Sequence, residues 1–380
     1  MLSKTISSIV RLVFLAILFV FFFYPDKWQI EFDYPGFPQA DSPKIRLAKT
    51  AFWLLLIIEL LRLFYYAIVK SRRKGIVANI LTIFSTLGVV LTLLEILFMY
   101  IPQSHEGVLS KASQIWWQKY WGPINSLGFR DKPILDEKGK KIVLVIGDSF
   151  AAGHGLKSVD ERFSNILEQR LGADKYCIYN LGVSGADTRD EVKRLHEFPL
   201  KPDIVILQYF PNDIEKAGRE KGLSLSGTEP YADVKGILSG IINRFYLPNF
   251  IYWQLPHTGF STFEQFVQKA YTDTTVLNSH LQDLSGLIAY RDSTKAKMYA
   301  IFIPFLFQID KSNSYTKPAE SYLAANGVEL VSVSAGISQI PDNQRSVGKN
   351  DGHASGAVNA LIAESLYKAM QYEKFSNAPK

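Results

Sequence analysis

Four short segments of this chain carry residues able to do acyl chemistry. They are Gly147-Asp148-Ser149-Phe150, the glycine-rich run Asn180-Leu181-Gly182-Val183-Ser184-Gly185-Ala186-Asp187-Thr188, then Phe210-Pro211-Asn212-Asp213, and Asp351-Gly352-His353 near the carboxyl end. Each alone reads as local structure, because Asp or Ser ahead of a helix caps its first turn and Gly, Asn and Asp build tight turns. Taken together, they hold the groups that acyl transfer needs. A serine hydroxyl is a poor nucleophile until a base removes its proton, and a histidine oriented by a carboxylate supplies that base. The oxyanion formed by attack then needs donors, which backbone N–H groups in a glycine turn and an asparagine amide can provide.

For the segments to meet, the elements carrying them must end in one place. From Lys141 onward, short β-branched runs alternate with helix-like stretches. Candidate strands cover 142–146, 176–181, 204–209, 298–303 and 328–333; candidate helices cover 162–171, 187–196, 275–290, 319–325 and 354–372. That alternation predicts an α/β fold, a three-layer α/β/α sandwich around a parallel five-stranded sheet. Open sheets of this kind bind ligands at the carboxyl ends of their strands. Three of the segments follow candidate strands, and the fourth precedes the last helix. Between 214 and about 272 the alternation lapses into Gly222, Gly227, Gly236 and Gly240, then Phe245, Tyr246, Phe250, Tyr252 and Trp253. This reads as an insertion over the active edge, whose aromatics would form a lid, a substrate platform, a membrane-interface contact or a satellite core.

The four segments, in this order on an alternating sheet, resemble the four blocks of the SGNH or GDSL hydrolase superfamily, whose sheet is flavodoxin-like. The resemblance covers roughly 125–371 and includes a lead-in, Asn125-Ser126-Leu127-Gly128-Phe129-Arg130-Asp131, seen in envelope-associated members. It implies Ser149 as nucleophile, His353 as base and Asp351 as the carboxylate orienting His353. It also implies an oxyanion hole from the Ser149 backbone N–H, Gly185 and Asn212. Asp148, Asp213 and Asn350 are secondary candidates. Two positions depart from the family pattern. Many members carry the carboxylate three residues before the histidine, where this chain has Asn350. The usual glycine two residues before the block-three asparagine is Phe210, which would narrow that side of the site.

Other chemistries lack their residues. No HExxH or paired carboxylate-histidine cluster supports zinc, and 153–158 lacks the glycine-lysine-serine adjacency of a phosphate loop. GxSxG, the nucleophile elbow of α/β-hydrolases, is absent. His154 reads as a cap or pocket-lining residue, while His105, His196, His257 and His280 show no partner pattern. Neither metal nor cofactor is expected. The single cysteine, Cys177, excludes an intrachain disulfide and any multi-cysteine metal site. A formal charge of +6 over 380 residues, without an arginine-aromatic stripe, gives no reason to expect nucleic acid.

A mean hydropathy near zero conceals an uneven chain. Apolar runs cover about 6–24, 51–69 and 76–101, each close to the length that crosses a hydrocarbon core. Arg11 can snorkel from the first run, whereas Glu59 and Arg62, three apart on one helical face of the second, should pair or face a neighbouring helix. The first run ends in Phe21-Phe22-Phe23-Tyr24-Pro25 without a small-x-small site, so it reads as an uncleaved anchor. Lys70, Arg72, Arg73 and Lys74 place the second loop in the cytoplasm, with the amino terminus.

The expected organisation is a three-helix transmembrane region over 1–104, a linker and lead-in over 105–140, and an extracytoplasmic domain over 141–375. The resemblance then implies a membrane-anchored serine esterase or O-acyl(acetyl)transferase working on a cell-envelope glycan or another acyl ester. An integral membrane acyltransferase would be its partner. The alternatives are a non-catalytic scaffold subunit of a membrane complex that keeps the fold, and a lipid-directed esterase.

Overall fold

A computed structural model of the chain describes residues 2–24, 27, 43–68, 74–105, 110–135, 139–224, 234, 236–255 and 259–376. The chain forms two units: residues 1–101 with 234–252, and residues 102–233 with 253–380.

The first unit is helical. Its three long elements are α1 (Leu2–Phe23), α2 (Pro43–Ile68) and α3 (Lys74–Phe98). Leu15, Leu18, Phe22, Ile45, Phe52 and Leu55 form their shared core. At Gly88 a Cβ would stand 3.0 Å from Leu55, so the missing side chain lets α3 approach α2 closely. Glu59 and Arg62 are buried against each other, joined by Ser85 and by Arg11, which lies 3.7 Å from the Glu59 carboxylate. Outward faces carry exposed Leu54, Ile57, Leu61, Ile83, Phe84 and Leu87. Among the described residues, one helix, Gly75–Phe98, is long and apolar enough to cross a membrane, and Ile9–Phe23 is a shorter apolar stretch. The basic loop at 70–74 lies largely outside the described residues, as do Pro25, most of the loop that follows it, Gly227 and His257.

Part of the expected insertion belongs to this unit. The helix Tyr246–Gln254 begins on Glu95, whose carboxylate accepts the Tyr246 and Leu247 backbone N–H groups at 2.5 and 2.9 Å. A negative side chain at a helix start satisfies unpaired N–H groups and complements the helix dipole. Phe250 then packs on Phe98 with ring centres 4.7 Å apart.

The second unit is the α/β/α sandwich. Its sheet contains β1 (Lys141–Ile146), β2 (Tyr176–Asn180), β3 (Ile204–Tyr209), β4 (Lys297–Phe302) and β5 (Glu329–Val331), all parallel, in the order β2-β1-β3-β4-β5. The central strands are mostly apolar, with Gln208 the interruption in β3, because helices cover both faces. The chain leaves β1 for β2 on one side and then crosses to β3 on the other. With right-handed crossovers, those connections place their helices on opposite faces. The helix Phe163–Leu171 accordingly pairs with the final helix, Gly356–Ser376, and Thr188–Glu197 pairs with Thr274–Thr294. This reversal makes the carboxyl end of β1 the point where a crevice opens.

The two-stranded ribbon over 346–354 is not among the elements expected from the sequence. Residues 351–354 begin no helix; they form β7 (Asp351–Ala354), paired antiparallel with β6 (Ser346–Gly348), and the last helix starts only at Gly356.

Candidate active site

Ser149 follows the switch-point strand directly and opens a four-residue helix, Ser149–Ala152. Two side chains fix that turn. Asp148 is its cap, with Oδ1 accepting the Phe150 N–H at 2.9 Å. Gln208, the one polar residue of β3 to face this turn, accepts the Asp148 and Ala151 N–H groups on Oε1 at 3.2 and 2.9 Å. Just after the other neighbouring strand, Gly182 touches the Ser149–Ala152 helix itself, since a Cβ there would lie 2.4 Å from the Ala152 nitrogen.

The histidine arrives from the β6–β7 ribbon. His353 Nε2 lies 2.8 Å from Ser149 Oγ, and its Nδ1 lies 2.5 Å from Asp351 Oδ1. The same Asp351 oxygen accepts the His353 backbone N–H at 3.2 Å. Because an ionised carboxylate only accepts, Nδ1 carries the proton and Nε2 is the free base facing the serine. Burial pushes the Asp351 carboxyl up, but the charge and hydrogen bond of His353 outweigh it and hold Asp351 well below the usual carboxylate range. A serine, a base and a buried ionised acid thus stand in line.

Asn350 is elsewhere. Its amide donates to the Trp253 carbonyl at 2.9 Å, so the side chain three residues before His353 is committed away from the imidazole. Asn350 stands in the turn between β6 and β7, while Asp351 and His353, two apart on β7, share one face of that strand.

The remaining sequence candidates lie around Ser149. Gly185, exposed and at φ +75°, occupies the turn after β2, where its conformation favours glycine. Asn212 sits in the turn after β3, half-buried, with its amide beside the Asp148 carboxylate. Since β2 and β3 flank β1, both turns border the nucleophile turn at one sheet edge. Asp213 is buried, with Oδ2 accepting the Phe210 N–H at 3.2 Å, and is a turn cap. Phe210 is buried too, stacked on Phe150 with ring centres 4.1 Å apart and edge-on to Phe305 at 5.2 Å. Its ring therefore fills core beneath the turn instead of standing open in a cleft.

Several contributors carried no motif. Gln208 shows only as a polar interruption in an apolar strand. Glu191, on the Thr188–Glu197 helix, is fully buried, and burial raises its carboxyl to about 8, with Asp148, Asp187 and Asp190 adding to the rise against Arg194. Burial likewise raises Asp148 and Asp213. Behind Ser149, the lead-in acts as a brace. Arg130 donates to the carbonyls of Ala152, Gly153, Tyr120 and Leu156, at 3.3, 2.5, 2.7 and 2.9 Å. Asp131 in turn accepts Arg162 and the Asn180 N–H, both at 2.8 Å. His280 is a buried core histidine, with Nε2 2.7 Å from the Tyr209 hydroxyl. His154, Asp351 and His353 bring one ligand-type atom each within 4.8 Å of one another. The inner Asp351 oxygen and both His353 nitrogens are already engaged with each other and with Ser149 Oγ.

No family model and no curated protein matches the chain. Among solved structures, it is similar to TesA, at 15% identity and a TM-score of 0.39, over 61% of this chain and 99% of that one. It is also similar to a member of the lipolytic protein G-D-S-L family from Veillonella parvula, at 10% identity and a TM-score of 0.37, over 61% and 98% of the two chains. A third likeness is to Axe2, an acetylxylan esterase from Geobacillus stearothermophilus, at 12% identity and a TM-score of 0.39, over 61% and 95%.

Proposed function

We propose that this chain is a serine acylesterase or O-acyl(acetyl)transferase of the SGNH/GDSL type that works through an acyl-serine intermediate. The observation that carries the reading is His353, which bridges Ser149 Oγ and Asp351 Oδ1 through its two ring nitrogens. His353 Nε2 takes the Ser149 proton as Oγ attacks the ester carbonyl. The oxyanion is received by the Ser149 N–H, the Gly185 N–H and the Asn212 amide; one such donor is worth about 10²–10³ in rate. His353 then returns the proton to the departing alkoxide, leaving an ester on Ser149. Water completes hydrolysis, or a sugar hydroxyl completes transfer, by the same steps in reverse. Asp351 holds the imidazole in the Nδ1–H form throughout and stabilises its charged state.

The membrane is part of the same proposal. The apolar helix Gly75–Phe98 and the exposed leucines, isoleucines and phenylalanines of the first unit support an anchor, since soluble surfaces seldom expose contiguous apolar faces of this kind. The basic residues at 70–74 put that loop in the cytoplasm and the catalytic unit outside, among envelope glycans. The scaffold alternative draws little from the first unit, because Glu59 and Arg62 pair with each other instead of presenting charge to a partner. The test is mass-shift labelling of the detergent-solubilised full chain by a fluorophosphonate, with Ser149→Ala as control. Labelling of wild type alone is expected; equal labelling of both, or of neither, overturns the enzyme reading.

A further inference from the structure

His154 is a buried histidine to which the mechanism above gives no task. It stands on the loop leaving the nucleophile helix, and its backbone N–H donates to the Ser149 carbonyl at 2.9 Å. Its ring is stacked between two others. Trp116 lies on it with ring centres 5.4 Å apart and planes 22° apart, and His353 lies on it at 4.3 Å and 21°. Trp117 and Trp121 close the sides edge-on, at 5.3 and 6.1 Å. Three tryptophans from the lead-in helix Lys111–Tyr120 and the residue after it thus enclose one imidazole.

The proton on that imidazole can be placed. His154 Nε2 is 3.0 Å from the His105 carbonyl oxygen, which can only accept, so Nε2 bears hydrogen. The same Nε2 lies 3.6 Å from Asp351 Oδ2. That outer oxygen is buried without a hydrogen-bond partner among the described residues, while its twin, Oδ1, is held by His353. A buried carboxylate oxygen left unpartnered is costly, and catalytic hydrogen bonds that are long in a resting site tighten when charge develops.

We infer that His154 is a positioning residue of this acyl-transfer site: its Nε2–H, shared with the His105 carbonyl, also faces the outer oxygen of Asp351, and its ring fixes the plane of His353. The inference rests on the triad reading. His154 does not compete as a base, because burial first, and the neighbouring His353 second, lower it to about 4 and keep it neutral. As a neutral donor it withdraws part of the Asp351 charge from the His353 imidazolium, so the basicity of His353 depends on it. The other charged or titratable groups facing this pair are Asp351 on β7, Asp148 at the nucleophile turn and Arg130 of the lead-in.

Two substitutions separate ring from donor. His154→Phe keeps an aromatic stack without the N–H; His154→Gln keeps an amide N–H near the position of Nε2. On a short-chain p-nitrophenyl ester, His154→Phe is expected to lower kcat about tenfold with KM within about twofold, and to move the acid limb of kcat/KM up by about half a unit. His154→Gln should return that limb to its wild-type position. Equal losses in both variants with an unmoved limb would mean a packing role only and would overturn the inference, as would unchanged kinetics. Titration of His353 in the full chain, followed by NMR on isotope-labelled histidines in detergent micelles, needs no turnover. An upward shift in His154→Phe supports the inference even if wild type proves inactive, in which case the esterase reading alone fails; an unmoved titration overturns the inference whatever the activity.

Discussion

Gln208 Oε1 accepts the backbone N–H of Ala151 at 2.9 Å, tying the carboxyl end of the neighbouring strand to the helix that Ser149 opens. The same oxygen accepts the Asp148 N–H, so one buried amide serves both sides of Ser149. Gln208→Leu has nearly the same volume and removes the acceptor. Two N–H groups then lose their partner, at about 1–3 kcal/mol each. Thermal unfolding should show a clear fall in Tm, and kcat should drop more than KM rises. A variant with wild-type Tm and kcat would deny Gln208 this role.

Which carboxylate serves His353 can be settled by exchange. Asp351→Asn is expected to cost about 10³–10⁴ in kcat, because the amide no longer holds the imidazole in its Nδ1–H form. Asn350→Asp added to it should restore nothing, since that side chain points to the Trp253 carbonyl. Recovery of activity in the double variant would move the triad acid to position 350. The charge of Asp351 also sets a pH window. Its depressed carboxyl contributes stability that is fully present above about pH 4, the unfolded value, and is lost only as pH falls through the lower folded value.

Glu191 acts in the opposite sense. Its folded carboxyl titrates near 8, above the ordinary value, so the folded chain binds a proton that the unfolded chain releases. Stability from this group is present below the unfolded value and declines as pH rises towards 8. Glu191→Gln keeps the shape of the neutral acid and removes the titration. Its Tm should match wild type at pH about 5 and exceed it by about 3 °C or more at pH about 9. Identical Tm curves against pH would show that the Glu191 carboxyl is not raised in the folded state.

Arg130 is expected to be irreplaceable by lysine. Its planar guanidinium reaches four carbonyl oxygens around the loop behind Ser149, a geometry that an ammonium on a flexible stem cannot reproduce. Arg130→Met should cost about 3–5 kcal/mol in chemical denaturation, and Arg130→Lys most of that. A loss under about 1 kcal/mol in both would mean that water replaces the brace without penalty.

The five parallel strands lie where the β-branched runs placed them, and the nucleophile, glycine and asparagine turns sit at their ends. That much is local: strand propensity, turn chemistry and caps depend on residues a few positions apart. The order of the four segments also held the candidate set of Ser149, Gly185, Asn212, Asp351 and His353. Tertiary structure decided what depends on burial and on distant pairing. Asn350 falls in the turn between β6 and β7, where its amide meets the Trp253 carbonyl, while Asp351 and His353 stand two apart on one face of β7. Gln208 and His154 gained their positions only when a neighbouring strand and a chain segment 204 residues beyond Ser149 closed around the nucleophile turn. Residues 234–252, part of the insertion that the sequence left open as lid, substrate platform, membrane-interface contact or satellite core, group with the helical unit, where Glu95 accepts the first N–H groups of the helix Tyr246–Gln254.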